Sequence, residues 1–206
     1  MADPNVLLVE GKDDLHVLRH LLLYHSITEP FIIKENEGVD RLLESLPVQL
    51  KRSGLERLGV VLDANANLPG RWETLRNIVI RSGYKDVPIL PESSGTIIKQ
   101  LDKPLVGFWL MPENTLPGML EDFVRFLVPP DDVLWTLANE CLQLIPKQEQ
   151  RFLDSHRIKA HIHTWLAWQE DPGTPMGLAI TKRYFKGDAP YALKFIAWVR
   201  RLFLEG

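Results

Sequence analysis

An apolar run, Val6 to Val9, hands over directly to Glu10, and Gly11, Lys12, Asp13 and Asp14 follow at once. A second run, "GVVLDANAN", ends the same way in Asp63, with Asn65 two residues later. Crowded carboxylates repel one another and raise each other's pKa unless a cation neutralises them. Acids at the ends of separate buried runs therefore point to divalent-metal chemistry. Mg²⁺, with Mn²⁺ as its substitute, suits such a site, since it takes one or two carboxylates, keeps several waters and leaves positions for phosphate oxygens. Asp14 lies one helical turn after Glu10 and can face the same cluster. Asn65 offers a neutral oxygen. Asp13 reads as an ordinary helix-start acid opposing the helix dipole. A later run, "GFWLMPEN", ends in Glu113 and extends the pattern.

These acids meet only if their runs are neighbouring parallel strands, whose C-terminal ends share one edge of the sheet. The patterning predicts that arrangement. Asn5–Val9, "PFIIKE", "RLGVVLDA" and "PLVGFWLMP" read as strands, and "DVPILP" and "TIIKQL" as two further short ones around a Gly-Ser turn. Between them, Lys12 to Tyr24, "VDRLLESLPVQLKRSG" with a break at Pro47, and "GRWETLRNIVIRSG" stopped at Gly83 read as helices. The β-α-β rhythm predicts an α/β fold, a mainly parallel Rossmann-like sheet flanked by helices. After about Pro117 the chain turns helical: "GMLEDFVRFLV", "DDVLWTLANECLQLI", "EQRFLDSHRIKAHIHTWLAWQ" and a closing helix with Tyr191, Phe195, Val199 and Phe203 at i+4 spacing. The expected organisation is an α/β domain over 1–125 and a helical extension over 126–206 packed on it.

The chain has 206 residues, 45% hydrophobic and 25% charged, as expected of an ordinary globular protein with a real core. No apolar run reaches the roughly 18–20 residues of a membrane span. The N-terminus lacks a signal-peptide pattern, and a single cysteine excludes an intramolecular disulfide framework. A cytoplasmic location follows as the expectation. The net charge of −3, from 24 basic and 27 acidic residues, is a poor footprint for sequence-independent nucleic-acid binding. It leaves room for a nucleic-acid enzyme whose acidic site is neutralised by metal.

Other constellations carry less. His16 and His20 form an i, i+4 pair without a third ligand, and His161 and His163 point to different sides of a helix. Lys159, Lys182 and Arg183 could form a basic rim for phosphate, but such residues coat any surface and read first as ordinary surface cations. Cys141 sits among apolar residues of an expected helix and reads as buried and inert. The tryptophans Trp165, Trp168 and Trp198 read as core.

"VEGKDD" together with "VVLDANAN" resembles the Toprim domain, shared by topoisomerases, bacterial primases, recombination-mediator proteins and the overcoming-lysogenization-defect nucleases. In that family a Glu followed by Gly ends the first strand and a DxD motif ends the third; these acids bind magnesium for phosphodiester chemistry. Glu10 and Asp63 match directly. Asp14 matches an additional acid of the nuclease branch, and Glu121 in "GMLED" resembles that branch's later acidic element. The whole chain, with "NANLPGRW", "MPENTLPGMLEDF" and "PGTPMGLAI", looks like a small stand-alone group of Toprim-like bacterial proteins. The motifs themselves cover about the first 125 residues. One departure matters: the second DxD acid is Asn65 here. The missing negative charge weakens the expected hold on Mg²⁺ and puts a two-metal arrangement in doubt.

The resemblance implies Mg²⁺-dependent hydrolysis of nucleic-acid phosphodiesters, with Glu10, Asp14, Asp63, Asn65 and Glu121 as the metal-binding set. Glu10 either shares the ion or serves as general acid or base. Lys12, entering a helix N-terminus, is placed to pair with phosphate; its alternative is a solvated lysine. The competing expectation is a non-catalytic Toprim-like module that binds nucleic acid or a protein partner, a second copy of the chain included.

Overall fold

The computed structural model describes residues 3–28 and 31–205. Its centre is a five-stranded sheet formed by β1 (Asn5–Val9), β2 (Ile32–Glu35), β3 (Arg57–Asp63), β4 (Thr96–Ile98) and β5 (Leu105–Met111). The strand order is β2-β1-β3-β5-β4. The first four strands in that order run parallel, and β4 closes the edge antiparallel to β5. The α/β expectation holds at this level.

β1, β3 and β5 read as continuous apolar runs because both sheet faces are covered, and alternate residues point opposite ways. Leu7, Val9, Val61, Trp109 and Met111 enter one core. Leu8, Val60, Leu62, Phe108 and Leu110 enter the other. The second core is closed by α2 (Val39–Gln49) and α3 (Leu68–Arg81). The first is closed by α1 (Lys12–Tyr24), α4 (Leu120–Arg125), α5 (Val133–Gln143), α6 (Arg157–Leu166), α7 (Met176–Thr181) and α8 (Pro190–Phe203). The helices after residue 126 thus share one hydrophobic core with β1, β3 and β5.

Two glycines set how closely α8 lies on the sheet. Gly59 and Gly107 are paired across β3 and β5. A Cβ on Gly107 would stand 2.5 Å from Leu202 Cδ2, and one on Gly59 would stand 3.0 Å from the Phe203 ring. Only the missing side chains let α8 settle there.

Several expected elements differ. "DVPILP" forms no strand; Pro88 and Pro91 cannot donate to a ladder, and Ile89 and Leu90 are exposed. Pro30 of the expected second strand lies outside the described residues, and the observed strand begins at Ile32. α2 continues through Pro47 to Gln49 instead of breaking there. The long helix expected from 149 onward begins only at Arg157, preceded by two single turns of 3₁₀ helix. Cys141 is exposed, not buried. Among the described residues, no helix is long and apolar enough to cross a membrane.

Candidate metal centre

The C-terminal ends of β1 and β3 open into a cleft of about 730 Å³. Glu10, Asp14, Asp63 and Glu121 all line it, along with Lys12 and Asn65. The sequence-derived set is therefore brought together, with each side chain placed by its own local device.

β1 delivers Glu10 at its end, and Gly11 caps α1 in extended conformation. Asp14, at the third position of that helix, turns one oxygen back: Oδ2 accepts the Gly11 N–H at 3.0 Å. This backward cap satisfies one donor that a helix start leaves orphaned. So Asp14, rather than Asp13, is the capping acid. Its other oxygen, Oδ1, is buried without a hydrogen-bond partner, as is Glu10 Oε2. Asp14 as a whole is only 7% exposed.

β3 ends on Asp63, whose Oδ1 accepts the Leu120 N–H at 2.9 Å. The next turn is pinned by a pair of backbone bonds, Asn65 N–H to Gly118 O at 2.7 Å and Gly118 N–H to Asn65 O at 2.8 Å. Asn65 adopts φ +51° there, a left-handed conformation that asparagine tolerates well. Asp122 Oδ2 caps Met119 N–H at 3.0 Å. These bonds fix the start of α4 beside the strand end and carry Glu121, buried at 4% exposure, into the cleft.

The acids act on one another. Burial, then the charges of Asp14, Glu10 and Glu121, push Asp63 up to about 8 against the opposing Leu120 amide. Burial, with the charges of Glu10 and Glu121, pushes Asp14 up to about 7, although the Gly11 N–H holds it down. Burial also raises Glu10; a backbone hydrogen bond from Asp63 and the Arg71 guanidinium oppose that rise. Arg71 is anchored by its own bond from Nε to Asp63 O at 3.2 Å.

The sequence reading missed part of the cleft. Glu35, ending β2, and Glu37 line it too. Glu35 carried the same signal as Glu10 and Asp63, an acid closing an apolar strand. Lys159 and His156 reach the cleft from α6 and the turn before it. Lys159 Nζ lies 3.0 Å from Glu121 Oε1 and 3.8 Å from Asp13 Oδ2. Burial alone would lower the lysine, but Glu121, Asp13 and Asp63 hold its ammonium above the usual range.

Glu113 does not join the cleft. It is buried beyond β5, where Lys194 Nζ lies 3.1 Å from its Oε2 and Thr115 donates to Oε1. His20 is likewise spoken for, its Nδ1 sharing a 2.7 Å hydrogen bond with Thr181.

An all-oxygen donor set with orphaned, buried carboxylate oxygens fits the chemistry of a hard cation that keeps most of its water. Among the described residues, no group of three or more His, Cys, Asp or Glu side chains is arranged to hold a metal ion.

No curated protein and no solved structure matches this sequence. The model of the family described as "Protein of unknown function (DUF3226)" matches residues 4–204, nearly the whole of the fold just described, and the chain belongs to that family.

Proposed function

We propose that the protein is a Mg²⁺-dependent phosphodiester hydrolase of Toprim type, acting on nucleic acid. The observation that carries this reading is the mutual electrostatics of Glu10, Asp14, Asp63 and Glu121 in one cleft, with Asp14 Oδ1 buried and unpartnered. Neutral, structural acids would be satisfied by hydrogen bonds. Here two carboxylate oxygens, Glu10 Oε2 and Asp14 Oδ1, stay buried without a partner at considerable electrostatic cost.

Glu10, Asp14 and Asp63 would hold the ion, with the side-chain oxygen of Asn65 as a neutral supplement. A divalent ion there supplies Lewis-acid polarisation of a phosphate oxygen and a bound water of lowered pKa. The chain's own groups do the rest. Lys12, exposed at the N-terminus of α1, offers an ammonium to a phosphate where the helix dipole already favours an anion. Glu10, only partly buried, is the group able to take a proton from an attacking water.

The cleft's charge supports metal dependence as well. Its lining carries seven carboxylates against two lysines, so a polyanion is repelled until cations are present. Purified protein incubated with single- and double-stranded DNA and RNA should cleave at least one of them with Mg²⁺ or Mn²⁺. Cleavage should stop with chelator and in Glu10→Gln. Inactivity on all four substrates with both metals would overturn the reading.

A second reading, a non-catalytic module binding nucleic acid or a protein, draws on the absence, among the described residues, of any group of three or more His, Cys, Asp or Glu side chains arranged to hold a metal ion. Binding that survives both chelator and Glu10→Gln would favour it.

A further inference from the structure

We propose that Lys159 is the built-in second cation of this centre, its ammonium sitting on the Glu121 side so that the cleft takes one divalent ion and not two. The inference rests on the divalent-ion reading of the site and concerns how many ions it holds.

The carboxylates of the cleft differ in what partners them. Glu10 Oε2 and Asp14 Oδ1 are buried and have no partner. Asp14 is more than nine-tenths buried, so water does not satisfy that oxygen in bulk fashion. Glu121 is equally buried but its Oε1 already holds Lys159 Nζ at 3.0 Å. The same ammonium is 3.8 Å from Asp13 Oδ2. Arg71 already acts on Glu10, so the unmet demand for positive charge centres on Asp14, beside Asp63, while Glu121 is met by Lys159.

The placement is built into the fold. Lys159 sits in the first turn of α6, whose Ile162, Trp165 and Leu166 lie in the core beneath α4 and α5. Glu121 is fixed in the first turn of α4 by the Asp63–Leu120 and Asn65–Gly118 bonds. An exposed lysine-carboxylate pair contributes little, but removing the cation from a buried carboxylate leaves a charge uncompensated. Without Lys159, Glu121 would join the other acids as a free ligand. A second divalent ion would then have both the room and the charge to bind.

Ion counting tests this directly. Mn²⁺ would be titrated into the wild type, Lys159→Met and Lys159→Arg, with bound and free ion separated by electron paramagnetic resonance. The expected counts are one ion for wild type and Lys159→Arg, and two for Lys159→Met. Lys159→Gln keeps a donor for Glu121 without the charge and gives the same count of two should Lys159→Met fail to fold. Two ions in the wild type, or a single ion in both neutral variants, would overturn the proposal while leaving the metal centre standing. No saturable Mn²⁺ binding in the wild type would overturn the metal centre itself.

Discussion

The ammonium of Lys159 lies 3.0 Å from Glu121 Oε1 and ties α6, late in the chain, to the first turn of α4 at the mouth of an acidic cleft. The cleft is thus assembled from both halves of the sequence: strand ends supply free carboxylates, and the helical half supplies a cation. Its energetics follow from that composition.

The metal-free fold should be more stable in mild acid. In the folded state Asp14 and Asp63 titrate at about 7 and about 8, against an ordinary 3.8. Between about pH 4 and 8 the folded protein binds more protons than the unfolded chain, so stability falls as pH rises through that window. Thermal unfolding in chelator should show a lower Tm at pH 8 than at pH 5.5. Excess Mg²⁺ should raise the pH 8 value most, because the ion replaces the lost protons.

Asp63→Asn should stabilise the metal-free protein at pH 8. The amide oxygen still accepts the Leu120 N–H, while repulsion from Asp14, Glu10 and Glu121 disappears. A gain of ~1–3 kcal/mol is expected from relieving a shift of this kind. Denaturant unfolding with and without Mg²⁺ measures it, and the variant should lose most of the ion's stabilising effect.

Asn65→Asp should fold normally and bind Mg²⁺ more tightly. Aspartate tolerates the same left-handed backbone, and the Asn65–Gly118 bonds are between main-chain groups. One added charge near the cation is worth roughly 1–2 kcal/mol, or about five- to thirtyfold in affinity. Unchanged affinity by calorimetry would place residue 65 outside the ion's surroundings.

Gly107→Ala should cost about 1–3 kcal/mol, because the new methyl meets Leu202 in a packed core. Equilibrium unfolding reads this. The acidic cleft, at the far end of the strands, should keep the wild-type response to Mg²⁺ if the variant is measured where it is folded.

Which of these features a linear sequence can disclose depends on whether the cause is local. β1, β3 and β5 stood out because strands covered on both faces are apolar throughout, and the acids closing β1 and β3 stood out against them. Glu113 had the same signature, yet Lys194 from α8 claims it, and nothing near residue 113 announces a lysine 81 positions away. Lys159 reads only as a surface cation for the same reason: a lysine in a helix gives no sign of the buried acid it will meet. Cys141 is exposed although its apolar neighbours suggest burial, because α5 and the residue that caps it present Val133, Leu137 and Leu144 to solvent as well.

Calorimetric titration with Mg²⁺ at pH 8, wild type beside Glu10→Gln and Asp63→Asn, bears most directly on the centre. Saturable binding by the wild type that is lost or severely weakened in both variants is the expected result. Equal binding by all three proteins, or none by the wild type at millimolar ion, would mean that the acids at the ends of β1 and β3 do not hold a divalent cation.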